Sequence, residues 1–256
     1  MVYPKFHSRV GRLQGKRQPV DKPSLVPMMQ AWIVAFGMLA LSMTPIDAAA
    51  QQQVSLRADD GWVLSADVYG TGPHGLVLIH GGRLTKESWR PQAKRFQAAG
   101  YHVVALDLRG FGLSQAVPAA GASEDRKELD VVAAVAYLKQ HGALEVSLIG
   151  GSMGGDAAAD AAAALATGAV DCLVLLSSAG GARPDQVKAR KILVVAARDD
   201  QRSAGERRWP NIEAGYKRVP VPKSVLLLEG TAHAQAIFDT PDGDAVTAAI
   251  LQFLSE

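Results

Sequence analysis

LEVSLIGGSMGGDAAAD, residues 144–160, decides the fold. An apolar run with Val146, Leu148 and Ile149 reads as a buried strand, and the alanines from Ala157 to Ala166 read as a helix. Between them the chain has only Gly150, Gly151, Ser152, Met153, Gly154 and Gly155 in which to turn. A strand that becomes a helix over so few residues needs strained backbone angles at its centre. It also brings flanking side chains into collision with adjoining strands. Glycines before and after Ser152 remove those side chains and leave one hydroxyl projecting from the strand's end.

Outward from this turn the chain alternates between two periods. QQVSLRA (52–58) and WVLSADVY (62–69) alternate polar and apolar residues around Asp59-Asp60-Gly61, the pattern of an antiparallel hairpin. GLVLIHG (75–81), YHVVALDL (101–108), VSLIG (146–150), CLVLLSS (172–178), ILVVAA (192–197) and SVLLLEG (224–230) are continuous apolar runs suited to strands buried on both faces. Helical spacing appears in residues 87–100, which stop at Gly100. It appears again in residues 123–142, where Ser123 is the expected N-cap and Lys139, His141 and Gly142 close the helix. Such alternation predicts an α/β class: a mostly parallel eight-stranded sheet, an N-terminal antiparallel hairpin and helices on both faces.

A serine is a weak nucleophile until a base takes its proton, and the base needs an orienting acid. His233 is the only histidine after Ser152, and it follows the last apolar run. Asp199 and Asp200 follow ILVVAA, so either can supply the acid. The developing oxyanion needs two backbone donors. Met153, next to the serine, offers one; Gly82 in LIHGGR offers the other, with Arg83 as the second possibility. His80, before the turn and inside the His-Gly segment, reads as a brace for that loop.

LIHGGR, ALDLRGFGLSQ, GGSMGG, AARDDQ and GTAHA, in this order across residues 76–234, resemble the signatures of the α/β-hydrolase superfamily, specifically its small, cap-less members of the dienelactone-hydrolase and esterase kind. The resemblance implies a triad of Ser152, Asp200 and His233, with Asp199 the alternative acid, and an oxyanion hole from Gly82 and Met153. It makes Asp107 and Arg109 structural. It implies neither metal nor cofactor, and a small-molecule acyl substrate as partner. The expected reaction is cleavage of a small ester, lactone or thioester through an acyl-enzyme. A peptidase, C–C hydrolase or haloperoxidase on the same triad, or a non-catalytic binding protein, are the alternatives. Two positions depart from the pattern: Ala197 stands for the usual glycine before the acid, and Ala234 follows the histidine. Only thirteen residues, AGGARPDQVKARK, connect the sixth and seventh strands, too few for a helical cap.

Composition adds bounds. The first fifty residues run from basic KFHSRVGRLQGKRQ through apolar AWIVAFGMLALSM to small-residue TPIDAAAQQQ, the order of a secretory signal peptide. The expected organisation is a leader over 1–50 and one hydrolase domain over 51–256, exported to the periplasm or medium. An uncleaved leader holding the chain to a membrane is the other reading. Six of the 27 Lys and Arg and two of the 25 Asp and Glu lie in the leader, leaving 21 basic against 23 acidic residues. That balance carries no nucleic-acid footprint, and no membrane contact is expected once the leader is gone. Cys172 stands alone within an apolar run and reads as a buried small hydrophobe. Asp156 and Asp160, four apart, read as solvated or capping charges rather than metal ligands. GERRWPNIEAGYKR (205–218) reads as a surface helix or loop.

Overall fold

The computed structural model describes residues 51–115 and 122–256; the leader assignment lies outside them. Eight strands form one sheet: β1 (Gln52–Arg57), β2 (Val63–Tyr69), β3 (His74–Ile79), β4 (His102–Leu106), β5 (Glu145–Gly151), β6 (Cys172–Leu176), β7 (Lys191–Ala197) and β8 (Lys223–Leu228). Their order is β1-β2-β4-β3-β5-β6-β7-β8. The hairpin β1–β2 and the β2–β4 pair are antiparallel; every later pair is parallel. From β3 the chain crosses first to β4 on one side and then back to β5 on the other. Crossovers that leave in opposite directions open a crevice beyond the carboxyl ends of β3 and β5, where open α/β sheets bind their ligands.

Helices cover both faces. On one, α2 (Lys127–Gln140) and α3 (Met153–Ala164) pack on a core containing Val77, Leu148, Leu173 and Val194. On the other, α1 (Arg90–Ala98) and α5 (Gly243–Ser255) bury Phe96, Ile250 and Phe253 against Leu78, Ile149 and Val174. The segment read as a surface helix or loop contains α4 (Trp209–Arg218), which buries only Ile212 fully. Alanines suit α3 because its first turn lies almost on the sheet. A Cβ on Gly154 would stand 2.4 Å from the His80 carbonyl oxygen, and one on Gly150 would stand 2.3 Å from that of Gly154. The serine turn therefore admits no larger residue at either position.

One expected boundary moves. The second helix begins at Lys127 with Arg126 at its N-cap, not at Ser123. Arg109 holds Ser123 back, since its Nη1 donates to the Ser123 carbonyl at 2.8 Å. The same buried guanidinium donates through Nη1 to Asp60 Oδ2 at 2.6 Å and through Nε to Asp130 Oδ1 at 2.8 Å. It lies 5.0 Å above the Trp62 ring. The hydrogen bond from Arg109 holds the Asp60 carboxyl below its ordinary value. Asp107 completes the loop, accepting from Leu113 N at 3.0 Å and Lys86 N at 2.8 Å. Both residues are thus structural, tying the hairpin turn, the loop after β4 and α2 into one unit.

Arg109→Ala leaves the wholly buried Asp130 carboxylate without its cation. Removing one partner of a buried pair costs roughly 3–5 kcal/mol. Urea denaturation followed by far-UV circular dichroism is expected to register a loss of that size. A loss below about 1 kcal/mol would show that the guanidinium is not what holds these segments.

Candidate active site

Ser152 sits between β5 and α3 with φ 50° and ψ −115°, a sparsely populated conformation for a side-chain-bearing residue. Two backbone bonds hold it there. Ser152 N donates to the Leu176 carbonyl at 2.8 Å, and Ser152 O accepts from Asp156 N at 3.0 Å. Its Oγ has no hydrogen-bond partner among the described residues, nor does the Met153 or Gly82 amide. A hydroxyl and two backbone donors, all unspent, thus stand at the ends of adjacent strands. The β3 loop closes on the turn: an added Cβ on Gly81 would lie 3.6 Å from Ser152 Cβ.

His80 is the brace expected of it. Leu108 N donates to its Nε2 at 3.1 Å, so that nitrogen accepts; Nδ1 carries the hydrogen and donates to the Gly81 carbonyl at 2.8 Å. Burial lowers its pKa from the ordinary 6.5. Protonating Nε2 would remove the acceptor for Leu108 N. The other oxyanion possibility, Arg83, is exposed and adopts φ 65°.

The two aspartates turn opposite ways. Asp200 Oδ2 lies 2.7 Å from His233 Nδ1, with the Asp200 side chain 1% exposed and that of His233 34% exposed. Asp199 turns outward to Arg207 at 2.9 Å, a half-exposed ion pair. Arg208 faces the acid from the other side, with Nε 3.4 Å from Asp200 Oδ1 and its backbone N donating to the Asp200 carbonyl at 2.8 Å. A buried carboxylate on Nδ1 fixes the tautomer that leaves Nε2 free to accept a proton. No hydrogen bond joins Ser152 Oγ to that Nε2. The two strand ends meet instead through their neighbours: a Cβ on Gly151 would lie 3.2 Å from Ala234 Cβ.

Supporting residues appear that the sequence reading does not single out. Ser177, at the end of β6 with φ 52°, accepts from Ala234 N through its Oγ at 3.1 Å and so fixes the backbone after His233. Gln235 reaches from the same segment to the β3 loop. Cys172 is buried, its thiol pushed up to about 12 by burial and by Asp171. Asp156 and Asp160 are anchors rather than solvated charges: Asp156 accepts from Ser178 Oγ at 2.7 Å and Asp160 from Ala182 N at 3.0 Å, which holds the loop after β6. Among the described residues no three His, Cys, Asp or Glu cluster as a metal site would require.

An eight-stranded, mostly parallel sheet with a serine turn after β5 and an Asp–His pair after β7 and β8 is the α/β-hydrolase fold. The chain belongs to the hydrolase family described as serine aminopeptidase S33, whose profile matches residues 73–218. That match includes Ser152 and Asp200 and ends before His233. Among solved structures, the chain is similar to the Pyrococcus furiosus esterase Pf2001, with a TM-score of 0.66 and 18% identity over 80% of this chain and 92% of that one. It is similar to the esterase RhEst1 from Rhodococcus sp. ECU1013, with a TM-score of 0.62 and 19% identity over 80% of this chain and 98% of that one. A dienelactone hydrolase from Anabaena variabilis gives a TM-score of 0.62 and 20% identity, covering 79% of this chain and 95% of that one. At these identities the likeness establishes the fold.

His80 has a measurable signature. Its folded pKa lies below the unfolded 6.5, so the neutral ring's contribution to stability is present above 6.5 and is lost as pH falls through the folded value. In a nitrogen-detected NMR titration, His80 is expected to remain the Nδ1–H tautomer at pH 6.5. Half-protonation at or above 6.5 would contradict the bracing geometry.

Proposed function

We propose that the protein is a serine hydrolase that transfers an acyl group from an ester-type bond to water. The observation that carries this reading is the 2.7 Å contact between buried Asp200 and His233 on the rim that carries the half-buried Ser152. In this reading His233 Nε2 takes the Ser152 Oγ proton as the oxygen attacks the acyl carbon. The Met153 and Gly82 amides then hold the oxyanion. His233 returns the proton to the departing alcohol, and water repeats the sequence on the acyl-enzyme. Losing one oxyanion donor typically costs roughly 3–4 kcal/mol of transition-state stabilisation.

Residues 177–190 bear on the substrate. They hold only the 3₁₀ turn Pro184–Gln186, so no helical cap stands between β6 and β7. A site without a cap at this connection favours small esters, lactones and thioesters, or the exposed end of a larger acyl compound, over buried long-chain lipid.

Wild-type protein is expected to hydrolyse p-nitrophenyl acetate and butyrate faster than aminoacyl anilides and to be labelled by a fluorophosphonate. Ser152→Ala should abolish both properties, and anilide cleavage outpacing ester cleavage would reassign the protein to peptide substrates. The acid is tested separately. Asp200→Asn should lower kcat by about 10⁴-fold through the wrong histidine tautomer. Asp199→Asn should leave kcat within about threefold, since a surface ion pair contributes only about 0–1 kcal/mol.

A further inference from the structure

We infer that Gln235 is a positioning residue for the oxyanion hole: its carboxamide fixes the backbone of Gly81 and thereby aims the Gly82 amide at the reacting carbonyl. The inference rests on the serine-hydrolase reading for its catalytic consequence, though not for its geometry.

Gln235 lies two residues after His233, in the 3₁₀ turn Ala234–Asp239, and is 7% exposed. Its Oε1 accepts from Gly81 N at 3.1 Å, across 154 residues of chain. Its Nε2 donates to Ser88 Oγ at 3.0 Å, and Ser88 Oγ in turn donates to the Thr85 carbonyl at 2.7 Å. The direction of this chain leaves the amide one orientation. Gly81 N–H can only donate, so it must meet the oxygen. Ser88 spends its hydrogen on Thr85, so it must meet the nitrogen.

The consequence falls on the next peptide. Gly81 is held at both ends, its N–H by Gln235 and its C=O by His80 Nδ1–H at 2.8 Å. In a trans peptide the N–H points opposite to the C=O. Pinning the Gly81 carbonyl onto His80 therefore sends the Gly82 N–H the other way, where it finds no acceptor among the described residues. The Gly81 carbonyl also accepts from Leu84 N at 3.3 Å, so its C=O end is doubly held and Gln235 is the one anchor on its N–H end. Glycine at 81 has two soft dihedrals and no side chain, so releasing that end lets the peptide pivot about the held carbonyl and re-aims the Gly82 donor. Electrostatic stabilisation of an oxyanion depends on donors that need no reorganisation at the moment of reaction. A single short segment thus carries the general base and the anchor of the oxyanion loop.

A steric observation supports the fit. A Cβ on Gly151, the residue before the serine, would stand 2.4 Å from Gln235 Oε1. The carboxamide fills the space that a side chain at 151 would otherwise take, so the glycine before Ser152 and the glutamine after His233 are one packing solution.

The test uses the full chain and two readouts. In Gln235→Ala, hydrogen exchange of the Gly81 amide should accelerate at least about tenfold. Its kcat for p-nitrophenyl butyrate should fall about 10- to 100-fold with KM within about twofold, the signature of an interaction made in the transition state. Unchanged exchange at Gly81, or kcat within about threefold of wild type in folded protein, would overturn the inference. Ser88→Ala, which removes only the far partner of the carboxamide, should show a smaller loss of the same kind. Should Gln235→Ala not fold, wild-type kcat in Ser88→Ala overturns the proposal. Wild-type protein without esterase activity would defeat the proposed reaction, while the exchange measurement would still decide the anchor.

Discussion

The site depends on one steric constraint, the near-contact of three backbones where β5 ends, α3 begins and β3 ends. The first turn of α3 lies so close to the His80 carbonyl that a Cβ at Gly154 would approach it to 2.4 Å. That proximity puts the Met153 amide and the β3 loop around a single hydroxyl. It also forces Ser152 to φ 50°, because no relaxed strand-to-helix path is so short. Alanine along α3 follows from the same demand. A larger side chain would lift the helix off the sheet and carry the Met153 amide with it.

Much of this was legible in the residues. Strands announce themselves as unbroken apolar runs or, in the hairpin, as alternation, and all eight fall where that patterning puts them. The run at 224–230 is not the doubly buried strand its composition suggests: as β8 it is an edge of the sheet, its residues exposed or half-buried. The Asp–His pair is legible because chain order leaves one histidine after the serine. Choosing between Asp199 and Asp200 is not a matter of order. Successive residues leaving a strand point in opposite directions, and the family's spacing favours Asp200 without showing where either carboxylate turns. The structure turns Asp199 to a surface arginine and Asp200 inward to His233.

Other features depart from the sequence reading for particular reasons. Ser123 looks like an N-cap, but a capping preference worth about 1 kcal/mol yields to a buried guanidinium that claims its carbonyl. Helix α5 goes unassigned in the sequence reading, although Val246, Ile250, Phe253 and Leu254 stand at helical spacing on its buried face. Ser177 and Gln235 belong to a different class. Their partners lie 57 and 154 residues away, and nothing local marks a polar residue whose bond crosses the sheet.

Strain and anchoring go together on this rim. Among the described residues, four that bear side chains adopt positive φ: Arg83, Ser152, Ser177 and Ala234. All lie just beyond the carboxyl ends of strands or in the loops that follow them. Each such residue costs of order 1–3 kcal/mol, against a total stability of about 5–15 kcal/mol for a domain. A chain can hold several only where neighbouring bonds over-determine the backbone. Here they do: Ser152 N bonds Leu176 O, Ser177 N bonds Val195 O, and Ser177 Oγ takes the Ala234 amide. Two of the strained residues thus hold each other, one at the end of β6 and one beside His233. Strain shared through a hydrogen bond couples the position of the histidine segment to the sheet itself. The imidazole is consequently held from two directions, by Asp200 on its ring and by Ser177 on the peptide behind it. In the proposed reaction, a base held in this way would lose little entropy when it receives a proton, which is the physical advantage of placing strain beside it.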